Sequence, residues 1–418
     1  MMNFTKNNYV WFILAAVFLL LPLIFTQSFA LSLMTQMGIA IIFALSYNML
    51  LGQVGLLSFG HAVYYGLGAF FTAHILNLIA DGIIWFPITL VPIFGGLFGM
   101  FFGFIIGIVT TRRPGTPFAM ISLGIAEMVA ASALMFTAFF GGEAGIDANR
   151  TSGGAMLGIS YGPQIQVYYL VMVWCLISIA GMYAITRTPL GRMANAVRDN
   201  PERAKFIGYN PTRVRWMSLT LAGFFAGLAG SLYIINYEIV TFETLGILES
   251  GRVVLMAFIG GIGHFWGPII GAVLVTFLQS ALSNYTEAWL LYFGLLFLVI
   301  IMFSPGGIAG LIAKHEPVLR AKMLRRLLPS YTVVAATGAV MLLGFVSIIE
   351  MIYHVESAIS GHEPMVLFGV LINPSSLNPW LVIVLVFVVG TSLFVRSTKI
   401  VGKAWDDLGP DLQKKGLI

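Results

Sequence analysis

Apolar residues run along this chain in blocks about as long as a lipid bilayer is thick. Such blocks cover residues 9–28, 30–50, 62–79, 85–109, 117–140, 165–186, 216–237, 288–303, 331–350 and 378–395. A helix rises about 1.5 Å per residue, so about 20 apolar residues carry it across the hydrocarbon. The stretch 250–283 is apolar too, but Gly260-Gly261-Ile262-Gly263-His264 and Gly267-Pro268 interrupt it. It reads as two short helices or a re-entrant pair. The pattern predicts an all-α, polytopic transmembrane helix bundle of about ten to twelve crossing segments, with no separate soluble domain. Residues 1–312 are expected to form the main transmembrane domain. A basic linker, 313–330, leads to two additional transmembrane helices over 331–395, and 396–418 forms a polar tail, a solvated cytoplasmic end that is short-helical or disordered.

Composition agrees. Of 418 residues, 59% are hydrophobic and 9% charged, with a mean hydropathy of +0.93. Soluble chains carry about 25% charged residues, and a domain in water cannot hide this much apolar surface. The bilayer is therefore the expected solvent. The net charge of +5 is spread over short loops rather than gathered in a patch, which argues against nucleic acid as a partner.

Charge placement predicts the topology. Arg112 and Arg113 follow the fourth block, the loop 187–215 holds seven basic residues, and 314–326 holds Lys314, Arg320, Lys322, Arg325 and Arg326. Parity puts all three on one side. Asp81, Glu143, Asp147, Glu238, Glu243 and Glu249 fall in the intervening loops. By the positive-inside rule both termini are cytoplasmic. Lys6, the apolar run from Tyr9 to Phe25 and Ser28-Phe29-Ala30 imitate a signal peptide, but a second spanning run follows at once, so the segment reads as a retained helix. The single cysteine, Cys175, lies within an apolar run and reads as a small buried hydrophobe.

Two of the glycine clusters carry polar company. In the first, Gly52, Gly55 and Gly60 stand among Asn48, Gln53, Ser58 and His61; in the second, Gly260, Gly261, Gly263 and Gly267 flank His264. Broken helices are predicted near 52–68 and 260–271. Irregular backbone at membrane depth survives only inside protein or beside a wet cavity. Both clusters contain a Gly-His step that opens an apolar, glycine-containing stretch. Broken helices in corresponding positions of two halves point to an inverted internal repeat of the transporter kind. His61 and His264 read first as packed, hydrogen-bonded residues. Glu127, about midway along its run, is either a pathway residue or a paired packing acid. The loop Gly141 to Ile146 is expected to be flexible and acidic, a partner contact or a plain turn. In 188–208, helix formers flank Asn200-Pro201, a favoured cap and first-turn pair, so two short helices with apolar and basic faces are predicted, suited to a lipid surface or a partner's groove. No nucleotide-binding, zinc-protease or hydrolase motif is present. An ATP-driven process would need its motor on another chain.

Together these segments resemble the permease subunits of branched-chain amino acid ABC importers, the LivM-like inner-membrane family. The resemblance rests on Gly52-Gln53, Leu56, Ser58 and Gly60-His61; on Arg112-Arg113, Gly115, Pro117 to Met120, Gly124 and Glu127-Met128; and on Gly141-Gly142 and Gly145. It continues through Thr188 to Arg192, Gly208-Tyr209, Leu221-Ala222-Gly223, Ala229-Gly230 and Gly260-Gly261 to Gly271-Ala272, covering roughly 30–312. It implies a bacterial inner-membrane subunit working with a second related permease, two cytoplasmic ATP-binding subunits and a periplasmic substrate-binding protein. It implies no cofactor bound by this chain, no enzyme activity of its own, and ATP hydrolysed by the partners. By the same resemblance, Arg192, Ala196, Arg198, Glu202, Ala204 and Gly208 belong to the coupling loop. Gln53, Ser58, His61, Glu127 and His264 are the candidate pathway residues. Residues 331–418 go beyond a minimal family member.

Branched-chain or related small amino acids are the expected cargo. Urea, short amides and aromatic carboxylates are alternatives, because selection in such systems rests largely with the binding protein. A stand-alone proton-coupled carrier is the rival from another class; an intramembrane enzyme lacks a catalytic constellation.

Overall fold

A computed structural model describes residues 9–151, 159–357 and 364–415. The described residues form helices α1 (Tyr9–Ile24), α2 (Ser28–Val54), α3 (Ala62–Ala80), α4 (Pro92–Thr110), α5 (Thr116–Met135), α6 (Thr137–Phe140), α7 (Gln164–Arg187), α8 (Pro189–Asp199), α9 (Pro201–Phe206) and α10 (Pro211–Tyr237). They continue as α11 (Ile247–Gly260), α12 (Gly267–Leu282), α13 (Trp289–Phe303), α14 (Gly307–Arg320), α15 (Leu324–Ser357) and α16 (Leu377–Lys414). Among the described residues strands are confined to two short antiparallel pairs. β1 (Ile146–Asp147) pairs with β2 (Ile239–Val240), and β3 (Met365–Leu367) with β4 (Val370–Ile372).

Among the described residues eight helices are long and apolar enough to cross a membrane. A broken pair, Trp289–Phe303 with Gly307–Arg320, bent by 42°, makes a ninth. Trp11–Ile24 and Gly267–Leu282 are shorter apolar helices. The chain is therefore a polytopic all-α membrane protein, with eight or nine long spans among the described residues where ten to twelve crossings were expected. The interrupted stretch 250–283 is two short helices, of 14 and 16 residues. At about 1.5 Å per residue neither reaches across about 30 Å of hydrocarbon unaided.

The chain divides into two compact units, Asn3–Ser280 with Phe297–Gly310, and Ala281–Leu296 with Leu311–Ile418. In the first unit α10 is the central helix, packed on α2, α3 and α4. Lipid chains are as apolar as the helices, so close approach and dispersion must supply the attraction between them. Here the approach is backbone to backbone. A β-carbon on Gly99 would lie 2.2 Å from the Gly223 carbonyl oxygen, and one on Gly227 2.2 Å from that of Gly95. The far end of α10 is tied down by Arg150, whose guanidinium donates to the carbonyls of Ile235 (3.2 Å), Asn236 (3.0 Å), Tyr161 (2.7 Å) and Gly162 (3.2 Å). A cation on the free carbonyls of a helix C-terminus satisfies both hydrogen bonding and the helix dipole. The turn at 141–146, expected to be flexible, is tightly packed: Gly145 abuts the Val240 carbonyl at 2.3 Å from a β-carbon position.

In the second unit α15 and α16 form an antiparallel hairpin. Gly344 meets the Phe387 backbone, Gly390 meets that of Met341, and the Thr337 and Ser397 hydroxyls are 2.8 Å apart. The polar tail is not a loose end, because α16 runs on through it to Lys414. Leu408 and Leu412, one helical turn apart, are buried with Val318 and Leu327. Beside them the His315 ring is 2.6 Å from the Tyr331 hydroxyl, which accepts from the Trp405 indole at 2.9 Å.

Leucine at Gly99 is expected to separate α4 from α10 and to cost at least the about 1–3 kcal/mol of ordinary overpacking. The thermal midpoint of the detergent-solubilised protein should fall by several degrees. Gly402→Ala, at a helical position with nothing within 4 Å of the added carbon, should leave it unchanged or raise it.

Candidate functional site

The first predicted break is the segment 55–61 between α2 and α3. Gly55 closes α2 in the left-handed conformation (φ 76°), and Leu56 N–H returns to the Leu50 carbonyl at 3.0 Å. This is the glycine-terminated helix end expected where a chain must turn sharply. Two further backbone N–H groups find partners far away in sequence and one finds a neighbour. Phe59 N–H donates to the Ser122 hydroxyl of α5 (3.1 Å), Gly60 N–H to Ser58 (3.3 Å) and Ala62 N–H to Ser250 of α11 (3.1 Å). Ser122 in turn donates to Ala119 O at 2.8 Å. Gly60 is fixed by proximity, since a β-carbon there would stand 2.2 Å from the Ser122 carbonyl oxygen.

His61, the residue just before α3, is fully buried, its Nε2 2.8 Å from the Ser46 hydroxyl of α2. Ser46 spends its own proton on the Phe43 carbonyl (2.7 Å), so the ring is the donor of this pair. Nδ1 then faces inward with no partner among the described residues. Phe43 stacks on the ring (5.5 Å, 15°), while Tyr47 and Tyr64 meet it edge-on. His61 is thus a packed, hydrogen-bonded histidine with one open lone pair.

The predicted coupling loop reaches this break directly. α8 and α9 form as expected, with Asn200 Oδ1 accepting from Arg203 N–H at 2.9 Å and Thr188 Oγ1 from Gly191 N–H at 3.4 Å. From α8, Arg198 donates through Nη1 to the carbonyl of Gly52, its stem lies against Gly55, and its Nε pairs with Asp199 at 2.9 Å. Ala204 is buried, whereas Arg192, Glu202 and Gly208 are exposed and Ala196 is half-buried. Next to them Phe206 is 90% and Ile207 59% exposed.

The second break touches the first. A β-carbon on Gly52 would lie 2.7 Å from Ile262 O and 2.1 Å from Asn48 Oδ1. α11 and α12 form a tight antiparallel hairpin, Gly260 against the Gly267 carbonyl and Gly271 against that of Met256. Gly261 (φ 111°) turns the chain and is itself pressed on Gly306 O. Gly263 is exposed with open space beside it, and His264 is half-buried in the turn, its Nδ1 without a partner among the described residues. Of the other candidates, Gln53 is half-buried at the end of α2 and Ser58 is buried. Glu127 stands apart from this group, on the exposed face of α5 with Met120, Gly124 and Met128.

One cluster was not singled out from the sequence. Between α2, α3, α10 and α11 lies a cavity of about 20 Å³ lined by Gln36, Phe43, Tyr65, Tyr233, Glu249 and Arg252, among others. Glu249 Oε2 and Arg252 Nη1 are 3.3 Å apart, with side chains 19% and 31% exposed, and Arg252 Nε lacks a partner among the described residues. The available signal was an acid and a base three residues apart in an apolar helix. Phe43 joins this cluster to His61, since its ring also lies 4.5 Å from that of Tyr65. Tyr237 closes the other side and also lines an open basin of about 620 Å³ with Asn77, Asp147 and Glu238. Among the described residues no group of three or more His, Cys, Asp or Glu is placed to hold a metal ion.

A family model described as the permease component of branched-chain amino acid transport systems matches residues 29–305. α15 and α16 lie beyond it. The chain is similar to the high-affinity branched-chain amino acid transport system permease protein LivM of Salmonella typhimurium, with 28% identity over 309 residues, 69% of this chain and 71% of that protein. The LivM protein of Escherichia coli is 29% identical over 305 residues, covering 68% and 70%. The fructose import permease protein FrcC of Rhizobium meliloti is 31% identical over 201 residues, covering 46% and 54%. No solved structure matches.

Removing the Ser122 or Ser250 hydroxyl leaves a buried N–H of the break unpaired, at about 1–3 kcal/mol each. Ser122→Ala and Ser250→Ala should each lower the thermal midpoint, and hydrogen exchange at Phe59 and Ala62 should rise in the matching variant only.

Proposed function

This chain belongs to the family of branched-chain amino acid transport permease components, and from that membership we propose that it is the membrane-spanning subunit of an ATP-driven importer of branched-chain or related small amino acids. The observation that carries the mechanism is Arg198 of the basic α8 donating to the carbonyl of Gly52. Gly52 lies against Ile262 O of the second break. A cytoplasmic ATPase pair that displaces α8 and α9 therefore pulls on the point where both breaks meet. Exposed Phe206 and Ile207, with Arg203 and Lys205 beside them, offer an apolar knob rimmed by cations for a partner's groove.

In the same reading the bilayer is the bacterial inner membrane, both termini are cytoplasmic, and a second related permease faces this one. A periplasmic binding protein delivers cargo to the opposite side, and ATP is hydrolysed by two partner subunits. Gln53, Ser58, His61 and His264 brace the break along the path. Glu127, exposed near mid-helix, faces the second permease, because a carboxylate in lipid costs about 2.5–3.5 kcal/mol on insertion scales. Residues 1–312 are the transporting domain, 313–330 the linker, and 331–395 with the tail 396–418 an addition to it.

Mild-detergent purification from the native host, followed by reconstitution, tests the proposal. Two ATP-binding chains and a second permease should co-purify, and leucine uptake should require internal ATP and survive an uncoupler. Uptake that collapses with the proton gradient and needs no ATPase would instead establish a stand-alone carrier; uptake of urea, an amide or an aromatic carboxylate would replace the substrate.

Phe206→Asp with Ile207→Asp should abolish ATPase co-purification while leaving the chain folded. Arg198→Met should leave the assembly intact and cut leucine uptake at least tenfold, with ATP hydrolysis no longer stimulated by loaded binding protein.

A further inference from the structure

The Glu249–Arg252 cavity has a chemistry that the coupling mechanism does not use. An acid and a base side by side in an apolar helix cost desolvation energy that their mutual attraction only partly offsets. Their presence therefore calls for a reason other than stability. The pair sits on α11, opposite the middle of α2, with Gln36 and Phe43 across from it and the rings of Tyr65, Tyr233 and Tyr237 alongside. Tyr65 and Tyr233 are 5.7 Å apart and Tyr233 and Tyr237 4.5 Å, so the aromatic wall is continuous. Arg252 Nε, buried and unpartnered among the described residues, is a free donor at the pair.

We propose that this cavity is a transit site for a zwitterionic α-amino acid, with the Glu249 carboxylate taking the ammonium group and the Arg252 guanidinium the carboxylate. The inference rests on the import reading above and names the recognition site that reading lacks. Guanidinium offers two parallel N–H donors to a carboxylate, and the tyrosine faces favour the ammonium. The apolar end, Phe43 with Ile39 and Met256, receives an aliphatic side chain. When cargo leaves, Glu249 and Arg252 close on each other at 3.3 Å. Both states are thus charge-balanced, and neither ion is stranded in the apolar interior. The present cavity, about 20 Å³, holds about one water; it is the closed state. α11 is the element that opens it, a 14-residue rod with Gly246 at one end and Gly261 at the other. The basin beyond Tyr237 is the entry.

The test measures equilibrium binding of radiolabelled L-leucine to the purified complex without its binding protein, and ATP-dependent leucine uptake by the same complex reconstituted with that protein. Unlabelled leucine should displace the label at least tenfold better than 4-methylpentanoate or 3-methylbutylamine, which each carry one of its two charges. Glu249→Gln and Arg252→Gln should each weaken leucine binding at least tenfold, with co-purification of the partner subunits unchanged. Glu249→Asp and Arg252→Lys give the same readout should the neutral variants fail to assemble. Equal competition by a singly charged analogue overturns the proposal, and so do unaltered binding in the variants and restored binding in the charge-swapped pair Glu249→Arg with Arg252→Glu. A wild-type complex that takes up leucine yet binds none also overturns it, with the import reading intact. A complex that takes up no amino acid overturns both.

Discussion

Within hydrocarbon a backbone N–H or C=O has no water to turn to, and each one left unpaired costs several kcal/mol. The first unit is arranged around that constraint at one place, the interruption between α2 and α3. Its freed groups are taken up by Ser122 on α5, Ser250 on α11 and Arg198 on α8. Those three residues come from parts of the chain that local structure alone would never bring together. The break is consequently stable only when α5, α8 and α11 are all in place. Conversely, any movement of α8 or α11 is felt at the break as the gain or loss of a buried hydrogen bond.

Packing divides the first unit into parts that hold and parts that yield. α4 and α10 touch along Gly95, Gly99, Gly223 and Gly227, where no β-carbon fits. Contacts this close lose dispersion energy steeply when separated, so the pair behaves as a rigid body. α5 is different. Only 28% of its apolar window is buried, against 83% for α10, and Gly124 has nothing within 4 Å of an added carbon. An open face with a small residue, two methionines and the Glu127 carboxylate suits another protein surface better than lipid.

Elements were legible in the sequence to the extent that length and punctuation define them. The block 30–50 became Ser28–Val54, 62–79 became Ala62–Ala80 and 216–237 lies inside Pro211–Tyr237. Asn200-Pro201 marked the α8–α9 boundary because capping chemistry is local. The two glycine clusters announced the breaks, since polar residues beside glycine have no other business in an apolar run. What was hidden is which side of each helix faces inward. Core-facing and lipid-facing residues are equally apolar here, so no periodicity distinguishes them. That is why Glu127 looked like a companion of His61 although α5 turns it outward, and why Glu249 passed as a loop residue. The tail misled for the opposite reason. Its polar composition concealed Leu408 and Leu412, which needed only one buried stripe to fold against Val318 and Leu327.

α11 gathers the consequences. Its first turns carry Glu249, Ser250 and Arg252; its end at Gly260 is locked to α12; and Ile262, just beyond, supplies the carbonyl lying against Gly52. A 14-residue helix is about 21 Å long, short enough to shift as one piece. A pull on Gly52 through Arg198 therefore bears on one end of the rod whose other end holds the charged pair. Phe43 provides a second link between the break and the cavity, through its ring contacts with His61 and Tyr65. On the proposed mechanism the polar cavity and the coupling helix are linked by two short mechanical paths. Both run through residues that the break already obliges to be where they are.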